Sequence, residues 1–285
     1  MLVIGSPSSV LEKWRIGTNG KYIELSELSE LSKYDPSTPV TIKGTTLNSY
    51  NSLIIEQCVR EKRDYYFIDT GYFGNHVRGK THVRVVFNGF HHSKYVEVPD
   101  DRYKDVIHVI EERYAREKRI WGNHFEYDFF ADAWRGGDNI LVVVPGRKNQ
   151  YVPEFDIDKW VSQTVDVLKK HTDRKIIIRE KKIRKIRIGD KHIYGQFIRD
   201  KIFAVVTANS LSAVEAVGFG VPCFTSNQHS VRDLCSEDFS KIETPYYPDR
   251  DKVLKYFHWL AYCQYTKSEL KDGTAYSIIK QHHLC

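Results

Sequence analysis

The sequence predicts an α/β protein built of two domains. Its length of 285 residues fits two domains, at roughly 150 residues for each. Short apolar runs typical of buried strands alternate with segments of helical spacing, a pattern that indicates strand–helix–strand units around parallel sheets. Hydrophobic residues make up 41% of the chain and aromatic residues 13%. This apolar content excludes a chain that is disordered throughout.

The first half of the chain, residues 1–125, is predicted to form one Rossmann-like domain. Uninterrupted apolar runs favour buried strands, and apolar residues three and four positions apart favour helices. The predicted strands are Leu2–Ile4, Pro39–Ile42, Tyr65–Ile68 and His82–Phe87. The predicted helices are Tyr50–Lys62 and Asp101–Lys118.

The second half, residues 126–248, alternates more regularly and predicts a second Rossmann-like domain. An aromatic segment without a clear period, Trp121–Gly137, is interpreted as the connection between the domains. Residues 249–285 are expected to pack back across both domains through aromatic side chains, with two helices between Asp249 and Gln281. The predicted strands of the second domain are Asn139–Val144, Lys175–Ile178, Ile202–Thr207 and Val221–Thr225, and its predicted helices are Asp156–His171 and Ser210–Gly218.

The positive charge of the chain is concentrated in one segment. The whole sequence has 43 basic and 37 acidic residues, whereas Arg174–Lys201 alone has 11 basic and 3 acidic residues. Such a segment attracts the phosphate groups of a nucleotide, a nucleic acid or a membrane surface. A basic face that contacts only solvent explains the same charges.

The sequence lacks patterns typical of metal sites, membrane spans and secretory signals, and these absences indicate the cellular compartment and the cofactors to expect. The five cysteines follow no metal-ligand spacing, which favours reduced thiols in a cytoplasmic protein. The sequence has no run of about 18 apolar residues and no typical leader, so neither a membrane span nor a secretory signal is expected. The DxD pairs Asp156/Asp158 and Asp249/Asp251 are interpreted as helix starts. No obligatory metal or other cofactor is therefore expected.

Three predicted strand ends in the second half are suited to phosphate. Ligands of open α/β sheets bind beyond the carboxyl ends of the strands. Two of the segments there are basic, Pro145–Lys148 and Arg179–Lys182, and the third, Ala208–Ser212, is a small polar turn that enters a helix. The N–H groups and the dipole at a helix start favour an anion. A helix cap at Ser210 and a surface position at Glu215 are the structural alternatives.

The segment Thr207–Ser226, TANSLSAVEAVGFGVPCFTS, resembles the donor-nucleotide segment of GT-B fold glycosyltransferases. The shared pattern is a strand, a small polar turn, a helix with an acidic residue, and a strand that contains Gly-x-Pro. The preceding segment Lys175–Lys182, KIIIREKK, is similar to a strand end of the capsule-type branch, without the His-Pro of that branch. The resemblance implies two Rossmann-like domains that face a cleft and a nucleotide-sugar donor, with a UDP-sugar as the expected co-substrate.

By this resemblance, the donor is bound at the three strand ends. Ser210 and Ser212, with the helix start, would hold the pyrophosphate, and Glu215 would bind the ribose hydroxyls. Basic side chains would neutralise the phosphate charge as the nucleotide leaves. The implied donor-binding set is Gly146, Arg147, Arg179, Lys182, Asn209, Ser210, Ser212 and Glu215.

In the first half, Tyr66–Gly74 followed by His82–Asn88 resembles phage-encoded glycosyltransferases. The shared pattern is an acidic residue with Tyr-Phe, followed by an Arg-containing strand that ends in Asn. The best-known enzymes of this kind glycosylate hydroxymethylated pyrimidines in DNA. The resemblance therefore implies double-stranded DNA as a partner, a hydroxyl such as that of 5-hydroxymethylcytosine as the acceptor, and activity in the cytoplasm of a host cell.

Sugar transfer requires a base for the acceptor hydroxyl and stabilisation of the departing diphosphate. Asp69 ends a predicted strand shortly before a glycine, and it is our candidate for the catalytic base. A carboxylate that only forms a turn explains the same residue. His76, His91 and His92 are competing candidates, because imidazole titrates near neutral pH.

A DNA acceptor requires cations for its phosphates and a side chain that opens the base stack. Residues near Asp69 in the sequence could supply both, with Tyr72 and Phe73 as wedges in the loop Thr70–Asn75. An apolar anchor at the base of the loop is the alternative role for these two aromatic residues. The predicted acceptor-binding set is Tyr72, Phe73, Arg78, Lys80, Arg84, Asn88 and Lys94.

Two other functions stay open at this point. A GT-B fold transferase or epimerase that acts on a cell-surface glycan or a sugar nucleotide would need no DNA. A non-catalytic DNA-binding protein with a vestigial donor site would bind DNA in a salt-dependent manner without turnover. A dinucleotide-dependent enzyme has no support, because no GxGxxG follows the first predicted strand, and no P-loop is present.

Overall fold

The computed structural model describes residues 1–5, 8–23, 28–44, 50–73, 82–109, 112, 134–145, 155–180, 193–226 and 229–284. These residues form two compact α/β units. The first unit contains the described residues up to 107 together with those from 258 onward, and the second contains those from 108 to 257. The predicted α/β fold class is confirmed, because each unit is built on a sheet whose strands alternate with helices along the chain.

The first unit contains a mixed sheet in which parallel strands predominate. In chain order, its strands are β1 (Leu2–Ile4), β2 (Lys21–Ile23), β3 (Val40–Lys43), β4 (Tyr65–Thr70), β5 (Val83–Phe87) and β10 (Gln264–Tyr265). Their spatial order is β10-β5-β4-β3-β1-β2. Strands β1 to β4 run in parallel, whereas β5 pairs in antiparallel fashion with both β4 and β10.

Helices from both ends of the chain pack in the first unit, with labels that follow chain order. They are α1 (Ser9–Gly17), α2 (Tyr50–Glu61), α3 (101–109), α8 (Lys267–Asp272) and α9 (Thr274–Gln281). Trp14 of α1 is fully buried, and its ring lies 5.5 Å from that of Tyr66 and 5.8 Å from that of Tyr276. Its Nε1 donates to Oγ1 of Thr41 at 2.8 Å. This packing places the C-terminal helices in the core of the first unit.

The second unit contains a sheet of four parallel strands. They are β6 (Asn139–Val143), β7 (Ile176–Arg179), β8 (Ile202–Thr207) and β9 (Cys223–Thr225), in the spatial order β7-β6-β8-β9. The helices are α4 (Ile157–His171), α5 (Ile193–Arg199), α6 (Ser212–Gly218) and α7 (Arg250–Tyr262). All apolar side chains of β6 and β8 except the partly buried Phe203 are buried, which agrees with the uninterrupted apolar runs of a parallel sheet.

The C-terminal segment differs from its prediction. The sequence predicts two helices that bridge the domains, whereas the structure contains α7, α8 and α9 together with strand β10. The chain passes from the second unit to the first within α7, between Phe257 and His258. Thr266 starts α8 with a reciprocal capping box to Glu269, and Gly273 ends it at a φ of +87°. These local signals divide the segment into short helices that complete the first unit. The predicted boundary between residues 125 and 126 lies outside the described residues.

A tight contact at the start of β6 leads to a prediction about stability. A Cβ atom on Gly137 would lie 2.4 Å from the carbonyl carbon of Ile202 and 2.5 Å from the nitrogen of Phe203, both of them backbone atoms. A Cβ on Gly136 would meet nothing within 4 Å. We expect Gly137→Ala to lower the free energy of unfolding by at least about 2 kcal/mol, because a backbone cannot rotate away as a side chain can.

Gly136→Ala is the matched control for this prediction, and we expect it to change the free energy of unfolding by less than about 0.5 kcal/mol. Urea unfolding of the two variants and the wild type measures the difference. Equal midpoints for the two alanine variants would show that β6 and β8 do not approach as closely as described.

Candidate functional site

The order of the strands in the second sheet reverses between β6 and β8. The chain passes from β6 outward to β7 and then returns to the other side of β6 to form β8 and β9. In such sheets, the loops after the two central strands leave in opposite directions, and ligands bind at their carboxyl ends. Thr207 Oγ1 donates to the carbonyl oxygen of Val143 at 3.2 Å and so joins these two strand ends. The candidate donor site therefore lies at this edge of the second unit.

Two serine hydroxyls lie together at the end of β8. The Oγ of Ser212 donates to the Oγ of Ser210 at 2.5 Å, and the Ser212 N–H group donates to the same oxygen at 3.3 Å. The preceding turn is fixed by Thr225, whose Oγ1 donates to the carbonyl oxygen of Ala208 at 2.7 Å. The structure thus brings the predicted hydroxyls into one cluster, here called the serine cluster (Ser210 and Ser212). The N-cap residue of α6 is Leu211, without a side-chain cap hydrogen bond, so Ser210 is not the helix cap that the structural alternative predicts.

A predicted cation lies at the same edge of the sheet. Arg179 ends β7 and is aligned with Val143 at the end of β6. Its Nη1 donates to Oε1 of Gln196, a buried side chain of α5. Glu215 lies in the first turn of α6 and is half-buried, and Asn209 is half-buried in the turn after β8. The remaining members of the predicted donor set, Gly146, Arg147 and Lys182, lie outside the described residues.

The sequence analysis missed two polar residues at this edge. His229 and Ser230 follow the end of β9, and both are buried. Nδ1 of His229 accepts the N–H group of Val231 at 3.3 Å. Ser230 Oγ has no hydrogen-bond partner within the part of the chain that the structure describes. The sequence contained a signal for these two residues, because they follow the end of the fourth predicted strand of the second half. The sequence analysis considered only the ends of the other three strands.

A cavity of about 400 Å³ opens at the opposite edge of this sheet. It lies at the amino ends of β6 and β8 and is lined by both charged and apolar side chains, among them Arg135, Asp138, Phe197, Lys201 and Phe219. None of the donor-binding candidates that the structure describes lines it. The candidate donor site is therefore the carboxyl edge, where the reversal of strand order and the serine cluster coincide.

In the first unit, Asp69 lies at the carboxyl end of β4. Its partner across the sheet is Arg84 of β5, and Arg84 Nη2 donates to Asp69 Oδ2 at 3.1 Å. The Asp69 side chain is 42% exposed, whereas that of Arg84 is only 4% exposed. The arrangement therefore presents to solvent a carboxylate that is hydrogen-bonded to a buried guanidinium.

Four members of the predicted acceptor set do not have the predicted exposure or position. Arg84 is buried among protein oxygens, so it is not available to a DNA phosphate. Tyr72 is 1% exposed, with its hydroxyl 2.9 Å from Nδ1 of His92, and Phe73 is also buried. Both aromatic residues therefore have the alternative role of an apolar anchor, because their surfaces are already packed inside the first unit.

Asn88 is the fourth corrected residue. Its side chain accepts the N–H group of Tyr65 at 2.8 Å and donates to Asp64 at 2.8 Å. These contacts place it at the amino end of β4, at the opposite end of that strand from Asp69. Lys94 is exposed, and Arg78 and Lys80 lie outside the described residues. Among the described members of the acceptor set, Asn88 is thus separated from Asp69, whereas Arg84 contacts it directly.

The competing histidine bases are also constrained by the structure. Burial, together with the nearby Arg84 charge, lowers the pKa of His92 to about 3. Because its side chain is fully buried, His92 cannot reach an acceptor. His91 is half-buried, and His76 lies outside the described residues. Burial therefore rules out His92, and Asp69 and His91 are the described candidates that are left.

The buried histidines predict how stability depends on pH. Burial lowers the pKa of His82 to about 4 and that of His92 to about 3, from an ordinary value of 6.5. Below pH 6.5 the unfolded chain binds protons that the folded chain does not, so stability must fall as the pH falls. At pH 5 we expect each histidine to lower the free energy of unfolding by about 2 kcal/mol relative to pH 7.

Urea unfolding at pH 7 and pH 5 measures this dependence, since ordinary carboxylates titrate below that interval. His92→Gln removes one of the two groups, and its midpoint should change less between the two pH values. A wild-type midpoint that is the same at both pH values would contradict the burial of these imidazoles as neutral groups.

No group of three or more His, Cys, Asp or Glu side chains is placed to hold a metal ion within the described ranges. The first aspartate of each DxD pair caps a helix. Asp156 accepts the N–H group of Lys159 at 3.0 Å, and Asp249 accepts that of Lys252 at 2.8 Å. Among the described residues, no helix has an apolar stretch long enough to cross a bilayer.

Comparison with known proteins adds evidence on the fold. No protein-family model and no curated protein matches the sequence. Two solved structures of KpsC from Thermosulfurimonas dismutans are similar at 11% sequence identity. For the structure described as a beta Kdo 2,4 transferase, the TM-score is 0.52 over 93% of this chain and 92% of that chain. For the beta Kdo 2,7 transferase, it is 0.51 over 97% and 98%. The chain therefore has a glycosyltransferase fold.

Proposed function

We propose that this protein is a glycosyltransferase that moves a sugar from a nucleotide-sugar donor to a hydroxyl group of a glycan. The observation that carries the proposal is the cluster of polar groups at the reversal of strand order in the second sheet. There the serine cluster lies at the carboxyl edge, where ligands of such sheets bind, and Arg179 ends a strand of the same edge. The glycosyltransferase fold supports the same function.

The donor proposal assigns a role to each polar group at this edge. Hydroxyl and N–H groups of the serine cluster bind the donor phosphate, and Arg179 neutralises its charge. Glu215, half-buried in the first turn of α6, accepts hydrogen bonds from the ribose hydroxyls. The buried Ser230 hydroxyl is a further candidate contact, because an unpaired buried hydroxyl is costly by about 1–3 kcal/mol unless a ligand completes it.

The first donor to consider is a nucleotide-activated acidic sugar of the Kdo type. Both similar structures are named as Kdo transferases, and the carboxylate of such a sugar suits a basic site. UDP-sugars, which the sequence pattern implies, are the second donor class. Both donor classes carry the phosphate contacted by the residues proposed above. Binding and nucleotide-release measurements with each class therefore decide between them.

A glycan hydroxyl is a better acceptor proposal than DNA. The proposed wedges for a base stack, Tyr72 and Phe73, are buried, and Arg84 is occupied by protein oxygens. A glycan requires neither a wedge nor a row of phosphate contacts. In the proposed reaction, Asp69 accepts the proton of the acceptor hydroxyl, and the acceptor oxygen forms a bond to the anomeric carbon of the sugar. The bond between that carbon and the donor phosphate breaks, and the nucleotide leaves with the electron pair.

The proposal is tested by measuring nucleotide release. The protein is incubated with nucleotide-activated Kdo or UDP-sugars, and either an oligosaccharide, 5-hydroxymethylcytosine DNA or no acceptor is added. We expect one donor class to bind in calorimetry and its nucleotide to be released faster with the oligosaccharide than with DNA. EDTA is expected to leave the rate unchanged. Faster release with DNA would assign DNA as the acceptor, and a folded protein that binds no donor would contradict the proposal.

A further inference from the structure

We propose that Arg84 is a positioning residue that fixes the orientation of the Asp69 carboxylate for sugar transfer. This inference rests on the proposed function, because it concerns the carboxylate that accepts the proton there. Arg84 itself is 4% exposed and does not reach an acceptor, so its action on the reaction passes through Asp69.

The guanidinium of Arg84 has its N–H groups directed at three different oxygens. Nη2 donates to Asp69 Oδ2 at 3.1 Å, Nη1 donates to the carbonyl oxygen of Thr70 at 2.6 Å, and Nε donates to that of Phe90 at 3.1 Å. A guanidinium is planar, and its N–H groups have fixed directions. The two carbonyl bonds therefore determine where the third N–H group points, and with it the position of the Asp69 carboxylate.

The surroundings of Arg84 are fixed as well. The guanidinium carbon lies 5.5 Å from the centre of the Tyr72 ring. The Tyr72 hydroxyl accepts the backbone N–H group of His92 at 3.0 Å, and the next residue, Phe73, donates its backbone N–H to Oε1 of Gln264 at 2.9 Å. These contacts hold the chain immediately after β4, the strand that contains Asp69. A carboxylate held this way loses little orientational freedom when it meets an acceptor, which lowers the entropic part of the barrier.

Arg102 provides a matched control for the structural part of this arrangement. Its guanidinium also contacts one carboxylate, Glu269, and donates to two carbonyl oxygens, those of Ala261 and Gln264. It lies 5.3 Å from the centre of the Tyr265 ring. Arg102 belongs to the same unit but makes no contact with Asp69. Loss of either arginine thus removes a similar set of buried interactions, and only one loss affects the proposed base.

The test compares Arg84→Gln, Arg84→Lys and Arg102→Gln for kcat, for KM of the donor and for Tm. We expect kcat to fall about 100-fold in Arg84→Gln with an unchanged donor KM, because the base is misplaced and the donor site is intact. Arg102→Gln should have a lower Tm than the wild type but should keep at least about half of its kcat. The carboxylate that Arg102 contacts, Glu269, takes no part in the proposed transfer. Arg84→Lys keeps the charge but not the directed N–H groups, and its kcat should still fall at least about tenfold.

Two results would overturn the inference. The first is a wild-type kcat in Arg84→Gln. The second is an equal fall of kcat in Arg84→Gln and Arg102→Gln, accompanied by an equal fall of Tm. If Arg84→Gln does not fold, the kcat and Tm of Arg84→Lys are compared with those of Arg102→Gln in the same way. Asp69→Asn is measured in parallel. If that variant retains kcat, the assignment of the base has failed, whereas an inactive Asp69→Asn beside an active Arg84→Gln refutes only the positioning role.

Discussion

Asp69→Asn is expected to lower sugar transfer by about 1,000-fold, within the range that a general base contributes. The amide cannot accept the proton of the acceptor hydroxyl, while its shape is nearly that of the carboxylate. It can still accept a hydrogen bond from Arg84, so the first unit should fold and Tm should change little. Donor binding is assigned to residues of the second unit and should be unchanged. Initial rates and donor calorimetry on the same preparation measure both quantities.

Asp64 supplies the control for this substitution. It immediately precedes β4, at the opposite end of that strand from Asp69, and it is exposed and bonded to Asn88. Asp64→Asn makes the same chemical change in the same part of the sheet, and its rate should match that of the wild type. If the transfer rate falls equally in Asp69→Asn and Asp64→Asn, the loss of rate is caused by a less stable sheet. If Asp69→Asn retains the wild-type rate, Asp69 is not the base.

The largest expected loss of stability comes from replacement of Arg63 by methionine. Arg63 is 2% exposed and lies just after α2. Its guanidinium donates to the backbone carbonyl oxygens of Leu31, Tyr34, Asp35 and Thr38. Its Nε also donates to Glu61 Oε2 at 3.2 Å. Methionine would leave these carbonyls without their donor, so we expect the free energy of unfolding to fall by about 3–5 kcal/mol.

Arg60 is the control for Arg63. It lies in the last turn of α2 and is exposed, so Arg60→Met should change the free energy of unfolding by less than about 0.5 kcal/mol. Guanidinium unfolding followed by circular dichroism measures both variants. An Arg63→Met variant within about 1 kcal/mol of the wild type would show that the segment Leu31–Thr38 does not depend on this side chain.

Eight of the ten described strands could be predicted from the sequence because their apolar runs are local, whereas β2 and β10 were missed. The antiparallel direction of β5 was not predicted either, and in the structure β5 pairs with β4 and with β10, which begins at Gln264, far along the chain. Helix α1 was missed for a similar reason. Val10, Leu11 and Trp14 form a short apolar face among charged residues, and tertiary packing in the first unit stabilises that face.

The donor edge was more predictable than the acceptor site. Parallel strands bring their carboxyl ends to one edge, so nearness to the strand ends was enough to place Ser210, Ser212 and Arg179 together. The acceptor set was chosen by nearness to Asp69 in the sequence. That criterion failed at Asn88, because β5 returns antiparallel and places it at the far end of β4.

Mass spectrometry of the acceptor is the most direct test of the central claim, that the protein transfers a sugar with Asp69 as the base. An oligosaccharide is incubated with the donor that binds and with either the wild type or Asp69→Asn. The account predicts that the oligosaccharide gains the mass of one sugar residue with the wild type and gains none in the same time with the variant. Equal gain with both proteins would contradict the role of Asp69, and no gain with a folded, donor-bound wild type would contradict transfer to a glycan.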